Sequence, residues 1–352
     1  MSKKIAVVSL KFAPGHAAHL RAYRGLFQEL GLETVLFLTP AYKNFLGEDS
    51  GLVYTDDIQP IADCQPDLVF IHNISTKNLS LLSLCRQRKI RSAYVLHEPR
   101  GSVSELLAEG RDLVKTVGAN TVNWLICRKA DLVLLCSETG LKNYRQYMKG
   151  CNPNARMLPL FFPDDYDADK AFDRKYFSFI GGFTDVHACR EFLDLMEYAL
   201  AGKMGIRFRI ATRTNLGSML EKDVFRKAIA SGDLVVQAGR PMSNEEINAF
   251  YRESICVWNA YNRSTQSGVL ACALMQGAPV LVNQNGAAGE CVTDGETGYY
   301  ISWPMNKDEI LEKYGLIAGR TDEMSLKCRE AFLKRFWYGN RLEETWEVLN
   351  LA

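Results

Sequence analysis

A chain of 352 residues is long enough for two domains of ordinary size, and 47% hydrophobic with 24% charged residues is the make-up of a water-soluble globular protein. A net charge of +1 sets up no field that would attract nucleic acid. No apolar run approaches the ~18 residues of a membrane span, and the ten cysteines form no CxxC pair, so buried reduced thiols are expected rather than disulfides or a zinc set.

The run from Ile5 to Leu10 reads as a first strand, too short and too soon followed by Lys11 to be an export signal. The loop KFAPGHAAH leads into a helix that Gly31 closes. Strands are then expected at ETVLFL, DLVFIH, SAYVLHEP, ADLVLLCS and ARMLPLFF, with helices between them and a long basic amphipathic segment over 103–129. Apolar strands alternating with helices predict an α/β fold, a parallel sheet covered on both faces.

The acidic stretch FFPDDYDADKAFDRK has no periodic apolar face and reads as a linker. After it the alternation restarts with YFSFIGGF, a helix, RFRIATRT and LVVQAGR. A helix follows whose Ser243 and Glu246 make a capping box, and then CVWNAY and PVLVN. The expected organisation is two tandem doubly wound, Rossmann-like domains, 1–165 and 166–320. A Trp- and Phe-rich helical segment, 321–352, completes the chain. Ligands of such sheets sit at the carboxyl ends of the strands, so a shared cleft is expected.

Of the five histidines, His16, His72, His97 and His187 fall in a loop after a strand or at a strand's carboxyl end, and His19 lies just past a loop at the start of a helix, so all five are expected to face the crevice. His97, in YVLHEPRG, is suited to take or orient a hydroxyl proton, with Glu98 setting its tautomer; a strand-end histidine bonded to backbone is the plainer alternative. No two histidines share an i,i+4 spacing and no carboxylate ligands lie near, so no metal site is expected. Gly15, Gly181 and Gly182 allow backbone to approach an anion or sugar, though APGHAAH is not a GxGxxG fingerprint. Arg213 and Arg263 are candidates to grip a diphosphate. Thr265, Gln266, Ser267 and Gly268 open a short apolar helix whose first amides suit a phosphate; simple capping by Ser267 would also explain the serine. A second Gly-rich turn, NGAAGE, carries Glu290. The basic amphipathic segment suits anionic lipid, although its apolar face can equally be core.

With these residues in place the chain resembles a glycosyltransferase of the GT-B fold, most similar to the large retaining family 4. The most specific stretch is CALMQGAPVLVNQNGAAGECVTDGETGYYI, where Gly277, Pro279, Glu290, Gly295 and Gly298 match the family pattern. ADLVLLCS is similar to the strand and serine that end the family's first domain. His97 occupies the place of its strand-end histidine near the acceptor. The C-terminal helix looks like the one that crosses back onto the first domain. Two motif glutamates of the family fall at Ser264 and Cys272, and its diphosphate-binding basic pair at Gly182 and near His187. The turn Thr265-Gln266-Ser267-Gly268 is similar to that of some bacterial polysaccharide enzymes, which implies a divergent branch.

The resemblance implies transfer of a sugar from a nucleotide diphosphate sugar to an acceptor hydroxyl, without a cofactor. Surface polysaccharide or glycolipid biosynthesis is the implied setting, in the cytoplasm or at the inner face of the membrane. Catalysis is assigned to His97 and Glu98. Donor binding is assigned to Gly15, Gly181, Gly182, Arg213, Arg263, Thr265, Gln266, Ser267, Gly268 and Glu290. A saccharide or lipid-linked saccharide acceptor is assigned to His16 and Arg100. A non-catalytic binding subunit, or an epimerase acting on sugar nucleotides, are the alternatives that the missing glutamates leave open.

Overall fold

The computed structural model describes residues 3–102, 113–170, 173–262, 265–284 and 286–351. Its contacts divide the chain into two compact units, the first made of Met1–Pro163 and Phe336–Ala352, the second of Asp164–Arg335. Each is a parallel sheet dressed with helices, the doubly wound α/β class that the alternating pattern predicts.

Unit 1 has seven strands: β1 Lys4–Ser9, β2 Glu33–Leu38, β3 Leu52–Tyr54, β4 Leu68–Ile71, β5 Arg91–Leu96, β6 Leu132–Leu135 and β7 Ala155–Met157. They lie in the order β3-β2-β1-β4-β5-β6-β7. β4 and β6 are buried at every residue, because helices cover both faces and no polar alternation is tolerated. The winding direction reverses between β1 and β4, so their carboxyl ends flank a crevice. β3 was not expected; its three half-buried edge residues leave no pattern to read. The stretch 155–162 is strand only over Ala155–Met157. Beyond it Phe162 donates its amide to the carbonyl of Phe336 at 3.0 Å.

Unit 2 has six strands: β8 Tyr176–Ile180, β9 Phe208–Ala211, β10 Leu234–Gln237, β11 Ser254–Asn259, β12 Val280–Asn283 and β13 Gly298–Ile301. Their order is β10-β9-β8-β11-β12-β13, and the reversal falls between β8 and β11. Phe177, Phe179, Phe192, Phe208 and Trp258 fill the core beneath it. The capping box at Ser243 and Glu246 is present as expected.

The chain does not return to unit 1 at residue 321. The helix Thr321–Arg335 buries Met324, Cys328 and Phe332 completely and packs on the helix Gly268–Met275 of unit 2. The return comes at Phe336, and the helix Leu342–Leu349 is held in unit 1, where Arg91 donates to the carbonyls of Leu349 and Asn350.

Candidate functional site

In unit 1 the loop after β1 is pinned before it delivers its histidines. The hydroxyl of Tyr42, itself fully buried, accepts from the amide of Ala13 and the hydroxyl of Ser9, each at 3.1 Å. Asn73, at the end of β4, donates its side-chain amide to the carbonyl of Lys11. The helix His16–Glu29 then begins with His16 and His19 on its first turn. Its first amides do not await an anion: His16 N bonds to Ala13 O at 2.9 Å and Ala17 N to Pro14 O at 3.2 Å. Gly15 belongs to this unit, has an ordinary helical φ of −62°, and has open space where a Cβ would stand. Neither strain nor close approach demands a glycine there.

His16, His72 and His97 come together from three elements. The rings of His16 and His97 stack with centroids 4.6 Å apart, and His72 stands edge-on to both, at 4.9 and 4.7 Å. His19 completes the group, 5.6 Å from His72, with its Nδ1 donating to the carbonyl of Phe161 at 2.9 Å. The Nε2 of His97 donates to the carbonyl of His72 at 2.6 Å. That bond sets the tautomer and leaves the lone pair on Nδ1. The tautomer-setting role expected of Glu98 thus falls to a backbone carbonyl, and Glu98 is exposed to solvent. Burial pushes His16 and His19 down to about 4. It pushes His72 and His97 well below the ordinary range, and neighbouring imidazoles add to the effect. All four are therefore neutral at pH 7, and His97 is better placed to accept a hydroxyl's hydrogen bond than to carry its proton away.

Arg100 does not join this group. It is exposed and lines a separate hollow of about 410 Å³ with Val117, Trp124, Tyr147 and Lys149. Val114, Val117 and Leu125 lie exposed along the helix Leu113–Lys129, beside the exposed Lys115 and Arg128.

In unit 2 the loops after β8 and β11 are laced together. Asn262 donates its amide N–H to the carbonyl of Val186 and its side chain to that of Asp185, and Trp258 Nε1 reaches the carbonyl of His187 at 3.2 Å. The His187 ring lies tilted against Tyr261, centroids 4.2 Å apart, and donates to the carbonyl of Gly182 at 2.5 Å. Gly181 has φ +124°, a backbone state that other residues rarely adopt, and a Cβ there would lie 3.1 Å from Val269. The first β-strand corner of this unit therefore touches the start of the helix Gly268–Met275.

That helix start is built as the sequence suggests. Ser267 is its cap, accepting from Leu270 N at 3.2 Å, and Asn259 donates to the same hydroxyl at 2.9 Å. Asn259, fully buried at the end of β11, is a positioning residue that sequence reasoning passed over. Among the described residues no acceptor takes up the amides of Gly268 and Val269, so two N–H groups face outward at the positive end of the helix. Thr265 is buried and Gln266 half-buried beside them. Arg213 lies two residues past β9 and is exposed. Glu290 is half-buried on the turn after β12, with its carbonyl accepting from Arg335 at 2.5 Å. Arg263 and Ser264 lie outside the described residues. All ten cysteines are free, and Cys272 is held neutral, its thiol pushed up to about 12 by burial.

No protein-family model matches the chain, and no curated protein matches it in sequence. Solved structures do match. A glycosyltransferase from Rickettsia africae is 10% identical, with 100% of each chain covered and a TM-score of 0.72. HepE of Anabaena, solved in complex with UDP-glucose, is 14% identical over 99% of this chain and 100% of that one, with a TM-score of 0.69. A Listeria monocytogenes protein described as a UDP-N-acetylglucosamine 2-epimerase is 13% identical over 100% and 98%, with a TM-score of 0.62. At these identities the likeness establishes the fold, two Rossmann-like parallel-sheet domains of the GT-B kind.

Proposed function

We propose that the protein transfers a sugar from a nucleotide diphosphate sugar to an acceptor hydroxyl. The observation that carries this reading is the meeting of Gly181 with the Ser267-capped helix start at the β8–β11 reversal of unit 2, where two outward amides suit a diphosphate. The fold likeness to a UDP-glucose complex supports the same assignment. Thr265 and Gln266 border the proposed phosphate site, with Arg213 and Arg263 as the cationic candidates and Glu290 a candidate for the ribose. The outward amides, with the helix dipole, would stabilise the departing diphosphate. The acceptor is assigned to unit 1, where neutral His97 orients its hydroxyl through Nδ1. A lipid-linked saccharide is the acceptor favoured by the exposed apolar and basic side chains of Leu113–Lys129.

The test is a thermal-shift panel of UDP, GDP, dTDP, ADP and CMP ligands and their sugar conjugates. A raised melting temperature with one nucleoside diphosphate is expected; a flat response across the panel overturns the reading. Epimerisation of a sugar nucleotide is a second reading, favoured by the Listeria likeness. It predicts interconversion with no acceptor present. A non-catalytic partner role is favoured by Cys272, whose neutral thiol cannot replace a carboxylate; it predicts binding without turnover.

A further inference from the structure

The histidine cluster of unit 1 holds more than an acceptor contact requires. His72 is wholly buried, and neither of its ring nitrogens has a hydrogen-bond partner. The Nδ1 of His16 is buried and unpartnered as well. Leaving a buried polar atom unsatisfied is destabilising, and here such atoms gather in one place at the β1–β4 reversal. We propose that His16, His72 and His97 are the ligands of a divalent transition-metal ion of the zinc or cobalt type.

One nitrogen from each of the three rings lies within 4.8 Å of the others. Tetrahedral zinc, with nitrogens at about 2.0–2.1 Å, needs them about 3.4 Å apart, so binding requires the rings to draw together and the stacked His16 and His97 rings to turn their lone pairs toward one point. The second shell is already in place. His97 donates its Nε2 hydrogen to the His72 carbonyl and so turns an unprotonated Nδ1 to bind, the way ligating imidazoles are commonly oriented by a backbone oxygen. His19 is held away by the carbonyl of Phe161 and stands as a neutral neighbour rather than a ligand. An all-imidazole set suits zinc, cobalt, nickel or copper and does not suit calcium or magnesium, which require oxygen. Three protein ligands leave a fourth position for water or an alcohol, so with the ion bound an acceptor hydroxyl would meet the metal in place of the His97 Nδ1 lone pair. Local spacing hides the site, because the ligands come from one helix start and two strand ends.

The test uses the untagged full chain, stripped with a chelator and dialysed against buffered Zn²⁺ or Co²⁺, with no nucleotide present. One ion per chain by elemental analysis is expected, with visible ligand-field bands for Co²⁺. His16→Ala and His72→Ala should each weaken binding by tenfold or more, while His187→Ala in unit 2 should bind as the parent does. His16 is the less buried position, so His16→Ala, checked for a parental melting curve in the absence of metal, decides the matter if His72→Ala fails to fold. Absence of stoichiometric metal in the parent, or its full retention in His16→Ala, overturns the proposal. Neither result bears on nucleotide binding.

Discussion

The Nε2 of His97 and the carbonyl oxygen of His72 are 2.6 Å apart, so one imidazole ties the ends of two adjacent strands, β4 and β5. The bond leaves His97 with a single accepting nitrogen in a setting that keeps the ring neutral. Replacing His97 with alanine should lower turnover by about tenfold, the loss of one orienting hydrogen bond. Nucleotide affinity should stay at the parental value. A matched loss of nucleotide affinity in calorimetry would remove His97 from the acceptor side.

Ser267 anchors both the helix start and Asn259. Ser267→Ala should cost about 1–2 kcal/mol of stability in urea denaturation and weaken nucleotide binding, because the outward amides lose their fixed direction. Gln266→Ala and Arg263→Ala should weaken nucleotide-diphosphate binding. Gly181→Ala should be worse than any of these, since the new methyl meets Val269 and the backbone must hold φ +124°.

Glu246 provides a pH test of the capping box. Arg240, and then the amide of Ser243, hold its carboxyl down to about 2 from the ordinary 4.5. A depressed carboxyl stabilises the fold fully above the unfolded value and loses that contribution as pH falls towards the folded one. The stability gap between the parent and Glu246→Gln should therefore be constant above about pH 4.5 and close as pH approaches about 2. Thermal melts across that window measure it; a gap independent of pH would refute the linkage.

Arg329 grips Asp164 with two bonds, at 2.8 and 3.0 Å, and also donates to the carbonyl of Met275. Both side chains are mostly buried, with exposures of 17% and 26%, so solvent screens the pair only in part. Arg329→Ala should destabilise unit 2 by about 1.5–3 kcal/mol. A double-mutant cycle with Asp164→Ala should recover part of that as coupling.

The exposed stripe on Leu113–Lys129 bears on the proposal of a lipid-linked acceptor. Lys115→Ala should weaken cosedimentation with phosphatidylserine vesicles by about 1 kcal/mol, roughly fivefold. Val114, 84% exposed, should when changed to Asp reduce it further. Vesicle binding unchanged in both variants would detach the helix from any membrane role.

The fold was legible because buried parallel strands such as Leu68–Ile71 and Val280–Asn283 are continuous apolar runs whose length and flanks mark them as strands. The corner at Ser267 was legible too, since a cap, a short apolar helix and a following Gly-x-Pro are all local features. What sequence does not carry is convergence. Histidines 16, 72 and 97 share no local spacing, and their meeting follows only from the order β1-β4-β5. The same holds for Asn259, whose value depends on facing Ser267. The return point at Phe336 was hidden because both helices, Thr321–Arg335 and Leu342–Leu349, bury apolar side chains, and only packing assigns each to its unit.

The bond between Phe162 and Phe336 has a consequence for engineering. The chain leaves unit 1 and re-enters it at neighbouring backbone positions, so everything from Asp164 to Arg335 is topologically an insert. A few glycines joining Pro163 to Phe336 would splice unit 1 into one continuous polypeptide. The excised cassette keeps its own clasp, because Arg329 holds Asp164 near the other cut end. The histidine cluster and the Ser267 corner can then be assayed on separate molecules.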